Sequence, residues 1–448
     1  METVINIKLW NENVAAVAWN KEKEFATIEF YPDFAKNGWD IAPLQMPIND
    51  ILRGERIFSF PANRGKTFNG LPALLADSLP DDYGNSIIDE WFASKNMLVE
   101  ISPLDRLCYI GHRGMGALEF EPANTDKMLN ESSILEIKEL TALAKEILNK
   151  RTAFQININN NKAIYEILRV GTSAGGAKPK AIIAYNETTG EVRSGQVHAP
   201  EGFSYWLLKF DGIEGGKIKD NPPGIGKIEY TYYKMATDCG IKMTECRLLR
   251  EGRKAHFMTK RFDRTEKGEK KHTQTFCAIA NFDRDERYSY EQIFQVIRHL
   301  NLSYSELDQM YRRMIFNVFT RNHDDHTKNH SFIMDKTGKW SLSPAYDLCY
   351  AYSPSGKWTS KHQLSLNGKR DGFTAQDLLQ VAEKQDIKNA KEIIEQIGDT
   401  VSQWRVYANR YKVKPEFINI IEENIYPTLP SNVIESNFCA STANSIGN

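Results

Sequence analysis

Two strand-forming runs, His330–Met334 and Trp340–Ser343, flank the turn residues Asp335-Lys336-Thr337-Gly338. Runs of this length around a Gly-containing turn fold back as a β-hairpin. A hairpin returns the chain to its starting point. Its open end is therefore expected to set Asn329 beside Asp347, an oxygen-ligand pair suited to magnesium, a hard cation. Asp324 precedes Asn329 with the spacing Asp-x-x-x-x-Asn. A protein-kinase catalytic loop uses that spacing, the Asp placing the acceptor hydroxyl and the Asn holding magnesium. The same residues could form a hydrogen-bonded turn, and His323, His326 and His330 could suggest zinc. Those histidines lack the helical i, i+4 setting with an interposed glutamate that a metalloprotease uses.

A chain of 448 residues has room for two or three domains and a sizeable core. Its net charge of -1 gives no global basic field of the kind that draws nucleic acid. The six cysteines are dispersed without a Cys-x-x-Cys pair, as buried thiols of a reducing compartment would be. Neither a signal-peptide pattern nor an apolar run approaching roughly 18 residues is seen. A soluble cytoplasmic protein with no membrane contact is expected.

Residues 1 to about 125 read as β-rich, with strands at Ile5–Leu9, Asn13–Trp19 and Phe25–Phe30. Phe68–Gly84 reads as a loop with short helices, and Asn85–Ala93 as a helix. The Gly-rich stretch Gly111–Leu118 runs into a strand rather than a helix, so it lacks the usual dinucleotide-binding context. Ala123–Ser133 is a linker candidate. Ser132 or Ser133 can cap a helix through Leu148, with Ile134, Ile137, Leu140 and Leu143 on one face. A helix near Asn161–Leu168 leads to a second Gly-rich loop.

That loop, Val170–Lys180, does not fit a Walker A motif, because Lys178 is displaced and Pro179 leads into a strand. A Gly-rich flap whose amides approach phosphate fits better, with an ordinary hairpin loop as the alternative. Lys209 lies on the apolar strand Tyr205–Phe210. It could simply reach water past a buried stem. The helix Ile228–Gly240 offers Glu229 as a partner, as a kinase lysine pairs with a helix glutamate. Strands Arg247–Arg250 and Ala255–Lys260 run into Arg261–Arg264, where a two-lobed kinase has its hinge. Asp263 could meet a ribose or bind a nearby arginine. Beyond Gln274 the pattern turns helical, at Tyr290–Leu300, Ser305–Thr320, Ala375–Glu383 and Ala390–Trp404. Ser303 or Ser305 can cap the second of these.

In this order the motifs resemble those of the HipA family of bacterial toxin Ser/Thr kinases. Leu71–Tyr83 and Gly111–Pro122 look like its amino-terminal signatures. Ser173–Lys180, Leu208–Phe210, Glu229–Gly240, Arg261–Arg264, Asp324–Asn329 and Pro344–Leu348 follow the order of its kinase part. The resemblance implies an α+β, two-lobed protein-kinase-like fold with an added β-rich amino-terminal subdomain. Its divisions would be 1–125 (added subdomain), 126–265 (kinase N-lobe with flap and hinge), 266–426 (helical C-lobe) and 427–448 (flexible tail). It implies ATP and magnesium as cofactors. Asp324 would be catalytic, and Asn329 and Asp347 would hold the metal. Glu229 would pair with Lys209. ATP would meet Ser173, Ala174, Gly175, Gly176, Ala177, Lys180, Lys209, Lys260, Phe262, Asp263 and Lys328. Asp325 is a further contributor. Ser173 matches the family's autophosphorylation serine. Lys260 stands where some members carry an acidic hinge residue. The implied partners are a protein substrate such as an aminoacyl-tRNA synthetase, a helix-turn-helix antitoxin of the HipB type, and operator DNA through that antitoxin. A catalytically silent nucleotide-binding scaffold and a small-molecule or lipid kinase are the alternatives.

Overall fold

The computed structural model describes residues 3–80, 84, 85, 87–89, 92, 101–123, 127–150, 179–213 and 222–429. The Ser173–Ala177 flap, the helix expected near 161–168 and the tail beyond 429 lie outside them.

The first sheet has the order β4-β3-β2-β1-β5, all antiparallel, built from β1 (Val4–Leu9), β2 (Glu12–Asn20), β3 (Phe25–Phe30), β4 (Ile57–Ser59) and β5 (Leu118–Glu121). Its alternation follows the pleat: Ile5, Ile7 and Leu9 are buried while Val4 and Asn6 face out. The second sheet, β7-β6-β8-β10-β9, is also antiparallel. It comprises β6 (Lys180–Tyr185), β7 (Val192–Ser194), β8 (Ser204–Lys209), β9 (Cys246–Glu251) and β10 (Lys254–Lys260). The third is the expected hairpin, β12 (Ser331–Met334) with β13 (Trp340–Leu342), flanked by β11 (His272–Thr275).

The helices that position the site are α1 (Pro103–Ile110), α2 (Ile137–Lys150), α3 (Ile225–Asp238), α4 (Phe276–Ile279), α5 (Tyr290–His299), α6 (Tyr304–Phe319), α7 (Ala375–Lys384), α8 (Ala390–Ser402), α9 (Trp404–Arg410) and α10 (Pro415–Glu422). Among the described residues no helix is long and apolar enough to cross a membrane. The helix expected from Ser132 starts later, at Ile137. Leu135 instead donates its amide to Val192 O (2.8 Å), and Ile134 bridges Arg193 and stays 59% exposed. Pairing with the edge strand β7 wins over helix initiation there. On α6, Met310, Tyr311, Met314, Ile315 and Val318 form the buried stripe its spacing requires. Ser303 caps it: its amide donates to the Glu306 carboxylate (2.9 Å), whose other oxygen accepts the Leu342 amide of β13 (3.0 Å). The cap thus fixes the hairpin to the helix that feeds the Asp324–Asn329 loop.

One apolar core runs continuously from the first sheet into the helical lobe, whereas α2 and the second sheet enclose a separate one. The amino-terminal sheet is therefore fused to the helical lobe. Its polar contacts go the same way: Trp340 Nε1 donates to Asp40 O (3.0 Å), and Asp77 accepts both the amide and the hydroxyl of Thr275 (2.7 Å each) at the start of α4.

Candidate active site

Lys209 ends the central strand β8. Register places it across from Lys180 on one side and Phe257 on the other. α3 lies close against this sheet because Gly226, in its first turn, has no Cβ: one built there would overlap the Ala255 carbonyl of β10. The close approach delivers buried Glu229 to Lys209, with 2.5 Å between Nζ and Oε1. The same ammonium donates to Asp347 Oδ1. Burial alone would lower the Lys209 pKa, but the two carboxylates, Asp347 foremost, hold it well above the ordinary range. Burial would likewise raise Asp347. Lys209 outweighs that and, with Lys180 and His326 nearby, keeps its carboxyl far below the usual value. The site thus holds an ionised Asp347, about one-third exposed, beside a fixed cation.

The loop of Asp324 leaves α6 through Arg321, whose φ of 57° turns the chain sharply. Asn329 Nδ2 donates to Asp324 O (2.6 Å), closing the Asp-x4-Asn turn and leaving the amide oxygen as a ligand atom. His326 accepts the Lys328 amide at Nδ1 (3.2 Å), and its Nε2 lies 3.8 Å from Asp324 Oδ1. Asp347 also adopts a left-handed backbone, φ 57°, just beyond the hairpin. Such conformations cost energy and persist where surrounding bonds enforce them. Here Tyr346 does so: its hydroxyl donates to Lys328 O (2.7 Å) and lies 2.5 Å from Ser331 Oγ. Asn322 Nδ2 adds a longer bond to Asp347 O (3.4 Å). The hairpin and Tyr346 together hold the two acidic segments against each other.

Asp325 is buried below this surface. It accepts from Tyr290 Oη (2.7 Å) and the Gln363 amide (2.7 Å), and pairs with His362 Nδ1 at 2.8 Å. Its role is to anchor the loop. No sequence spacing pointed to His362 or Tyr290 as its partners. Tyr346 could have been suspected, since a buried tyrosine needs a hydroxyl partner.

In the segment after β10, Asp263 takes the arginine alternative rather than the ribose. Asp263 is wholly buried, accepts Arg261 and Arg264 (2.7 and 2.8 Å to Oδ2) and receives the Gly116 amide (2.8 Å). Arg264 also donates to Gly114 O and Gly116 O. Asp263 is therefore a structural clamp between the hinge and the amino-terminal subdomain, and a ribose contact is ruled out by its burial. Gly116 sits at φ 73°, where a Cβ would also crowd Thr273, so only glycine suits that turn. Lys260 turns its ammonium to Glu266 (2.8 Å). Phe262 faces Tyr346, ring centroids 5.6 Å apart, at the edge of the Asp347 cluster. Lys328 lies near Asp77: burial raises the Asp77 pKa, and Lys328 is the strongest opposing charge. Lys180 is brought to the cluster; Ser173–Ala177 lie outside the described residues.

Zinc does not fit the histidines. His323 packs against His362 (ring centroids 4.1 Å apart) and meets Tyr352 edge to face, and His330 is buried against Tyr290. Burial drops both to pKa values of about 3. No three His, Cys, Asp or Glu side chains converge among the described residues. Asn329 and Asp347, by contrast, supply two oxygen donors with one carboxylate held ionised, which suits magnesium.

Residues 172–404 match the model of the HipA-like C-terminal domain, and residues 5–121 that of the HipA N-terminal domain. A candidate kinase of Sinorhizobium fredii, Y4dM, is 29% identical over 150 residues, 33% of this chain and 36% of that protein. A candidate kinase of Haemophilus influenzae is 26% identical over 149 residues, 29% of this chain and 43% of that one. The chain thus spans less than half the length of either relative. HipA of Shewanella oneidensis, solved with HipB and its operator DNA, has the same fold: TM-score 0.65 at 16% identity, over 94% of this chain and 95% of that one.

Proposed function

Because the chain belongs to the HipA family, we propose that it is a toxin Ser/Thr protein kinase that transfers the γ-phosphate of ATP to a bacterial protein. The observation that carries this reading is the Lys209 ammonium bonded at once to Glu229 and Asp347, beside the Asp324–Asn329 turn. A cation fixed by a helix carboxylate and an ionised acid at its side is what charge stabilisation on a transferring phosphoryl group requires.

Magnesium held by Asn329 and Asp347 would supply charge neutralisation at the phosphates. Lys209, positioned by Glu229, binds phosphate oxygens. Lys180, across the strand, adds a second positive charge. Asp324 accepts a hydrogen bond from the substrate hydroxyl and takes up its proton. His326, within 3.8 Å, adds polar support to that carboxylate. Phe262 borders the nucleotide.

Within this reading the substrate is an essential translation protein such as an aminoacyl-tRNA synthetase, so that phosphorylation stops growth. The cognate partner is a helix-turn-helix antitoxin of the HipB type that carries the kinase to operator DNA, as the Shewanella HipA is found with HipB and DNA. Autophosphorylation of Ser173 adds about -1.5 to -2 charges to the flap, which repels ATP phosphates and silences the enzyme. The test uses labelled ATP with brief expression and phosphosite mapping. Wild type acquires label, on Ser173 among other sites, and Asp324→Gln and Asp347→Gln do not. Equal labelling of all three sinks the proposal.

A further inference from the structure

α3 has different neighbours on two sides. Glu229 faces Lys209, whereas the next residue, Tyr230, meets Tyr411 edge to face, with ring centroids 5.2 Å apart. Tyr411 follows directly on α9. Between these rings and strand β9 lies a cleft of about 420 Å³ bordered by Tyr230, Arg247, Arg250, Arg410, Tyr411 and Lys412. The cleft is open to solvent on one side, so a chain segment can lie along it. Arg247 is already neutralised by Glu187 (2.6 Å) and Glu245 (2.5 Å). Arg250, Arg410 and Lys412 are exposed, and none has an ion-pair partner among the described residues.

Uncompensated cations gathered on one cleft repel one another, and an anionic occupant relieves that repulsion. The chain as a whole is close to neutral at -1, so the charge is a local feature rather than part of a basic field. A nucleic-acid surface needs a row of cations tracking many phosphates. Paired tyrosines beside a few free cations instead match a peptide that alternates acidic and aromatic side chains. We propose that this cleft docks an acidic segment of a partner protein. Its carboxylates meet Arg250, Arg410 and Lys412, and an apolar or aromatic side chain lies against Tyr230 and Tyr411. The occupant bears on the helix that carries Glu229. The cleft uses none of the residues assigned to phosphate transfer, so it stands or falls independently of that reading.

The probe is a short fluorescein-labelled peptide of glutamates around a central phenylalanine, titrated against the full chain by anisotropy. Saturable binding that weakens with salt is expected. Arg250→Glu/Arg410→Glu should weaken it about tenfold or more, about 1.4 kcal/mol, with an unchanged circular-dichroism melt. Lys412→Glu serves as a second charge reversal, and Tyr230→Ala weakens binding without changing its salt dependence. Absence of saturable binding, or parent-like affinity in both charge-reversed variants, overturns the proposal. So does an oligonucleotide, single-stranded or duplex, that binds more tightly than the peptide and loses that binding in the same variants.

Discussion

Replacing Asp263 by asparagine probes how the hinge is held to the amino-terminal subdomain. The carboxylate is fully buried, and the Arg261 and Arg264 side chains around it are only 1% and 5% exposed. Asparagine preserves shape and can still accept the Gly116 amide. It leaves two buried guanidiniums facing each other with no counter-charge. Breaking a buried pair by removing one partner costs about 3–5 kcal/mol. Arg264 keeps carbonyl acceptors at Gly114 and Gly116, and Arg261 keeps Gly195 O. The loss is therefore expected at the lower end, about 3 kcal/mol. Urea unfolding followed by tryptophan fluorescence at pH 7 should show it as a lower midpoint at unchanged slope. The pH dependence has a definite sign. Burial pushes the Asp263 carboxyl up, but Arg261 and Arg264 outweigh it and hold the folded value far below the usual one. The unfolded chain takes up the proton near pH 3.9, about the ordinary Asp value. The stabilisation is thus complete above that pH and fades below it as acid is added. The gap between parent and variant should narrow below about pH 4. A loss under about 1 kcal/mol at pH 7, or a gap that widens in acid, refutes the assignment of Asp263 as a clamp.

Three further outcomes are expected. Lys209→Met removes the ammonium bonded to both Glu229 and Asp347, and transfer of label from ATP should fall about 100-fold or more; a change within about threefold would contradict its role. Gly226→Ala forces a methyl into the Ala255 carbonyl and should cost about 2 kcal/mol in urea unfolding while reducing transfer, because α3 is pushed away from β10. His272 is buried beside Trp340, and burial lowers its pKa to about 4. Below the ordinary value of about 6.5 the unfolded chain gains a proton that folded His272 resists, so stability falls as pH drops from there toward 4. His272→Phe should flatten that decline, and a slope identical to the parent's would exclude His272 as a contributor.

Much of the site was legible because its grammar is local. The hairpin between Asn329 and Asp347 follows from strand runs and a Gly-containing turn, and the observed β12–β13 pair matches it within a residue or two at each end. Helical periodicity located α6, and of the two serines offered as its cap the structure selects Ser303. Lys209 and Glu229 could be named from a strand followed by a helix. Their pairing depends on Gly226, whose missing side chain lets that helix close on the sheet.

What lay beyond the sequence was set by partners distant along the chain. Asp263 could have met a ribose or an arginine. The Gly116 amide, 147 positions away, decided that it sits in a dry clamp. Asp325 and Asp324 are neighbours with the same charge. His362 and Tyr290 draw the first into the core, while the second stays half-exposed at the surface. Ile134 belonged on a helix face by period alone, until the edge of β7 offered its backbone a partner. Residue type and short-range spacing determine which chemistry is possible and which elements form. Which carboxylate faces solvent and which is neutralised depends on burial and on long-range charges, and those exist only once the sheets and helices have closed on one another.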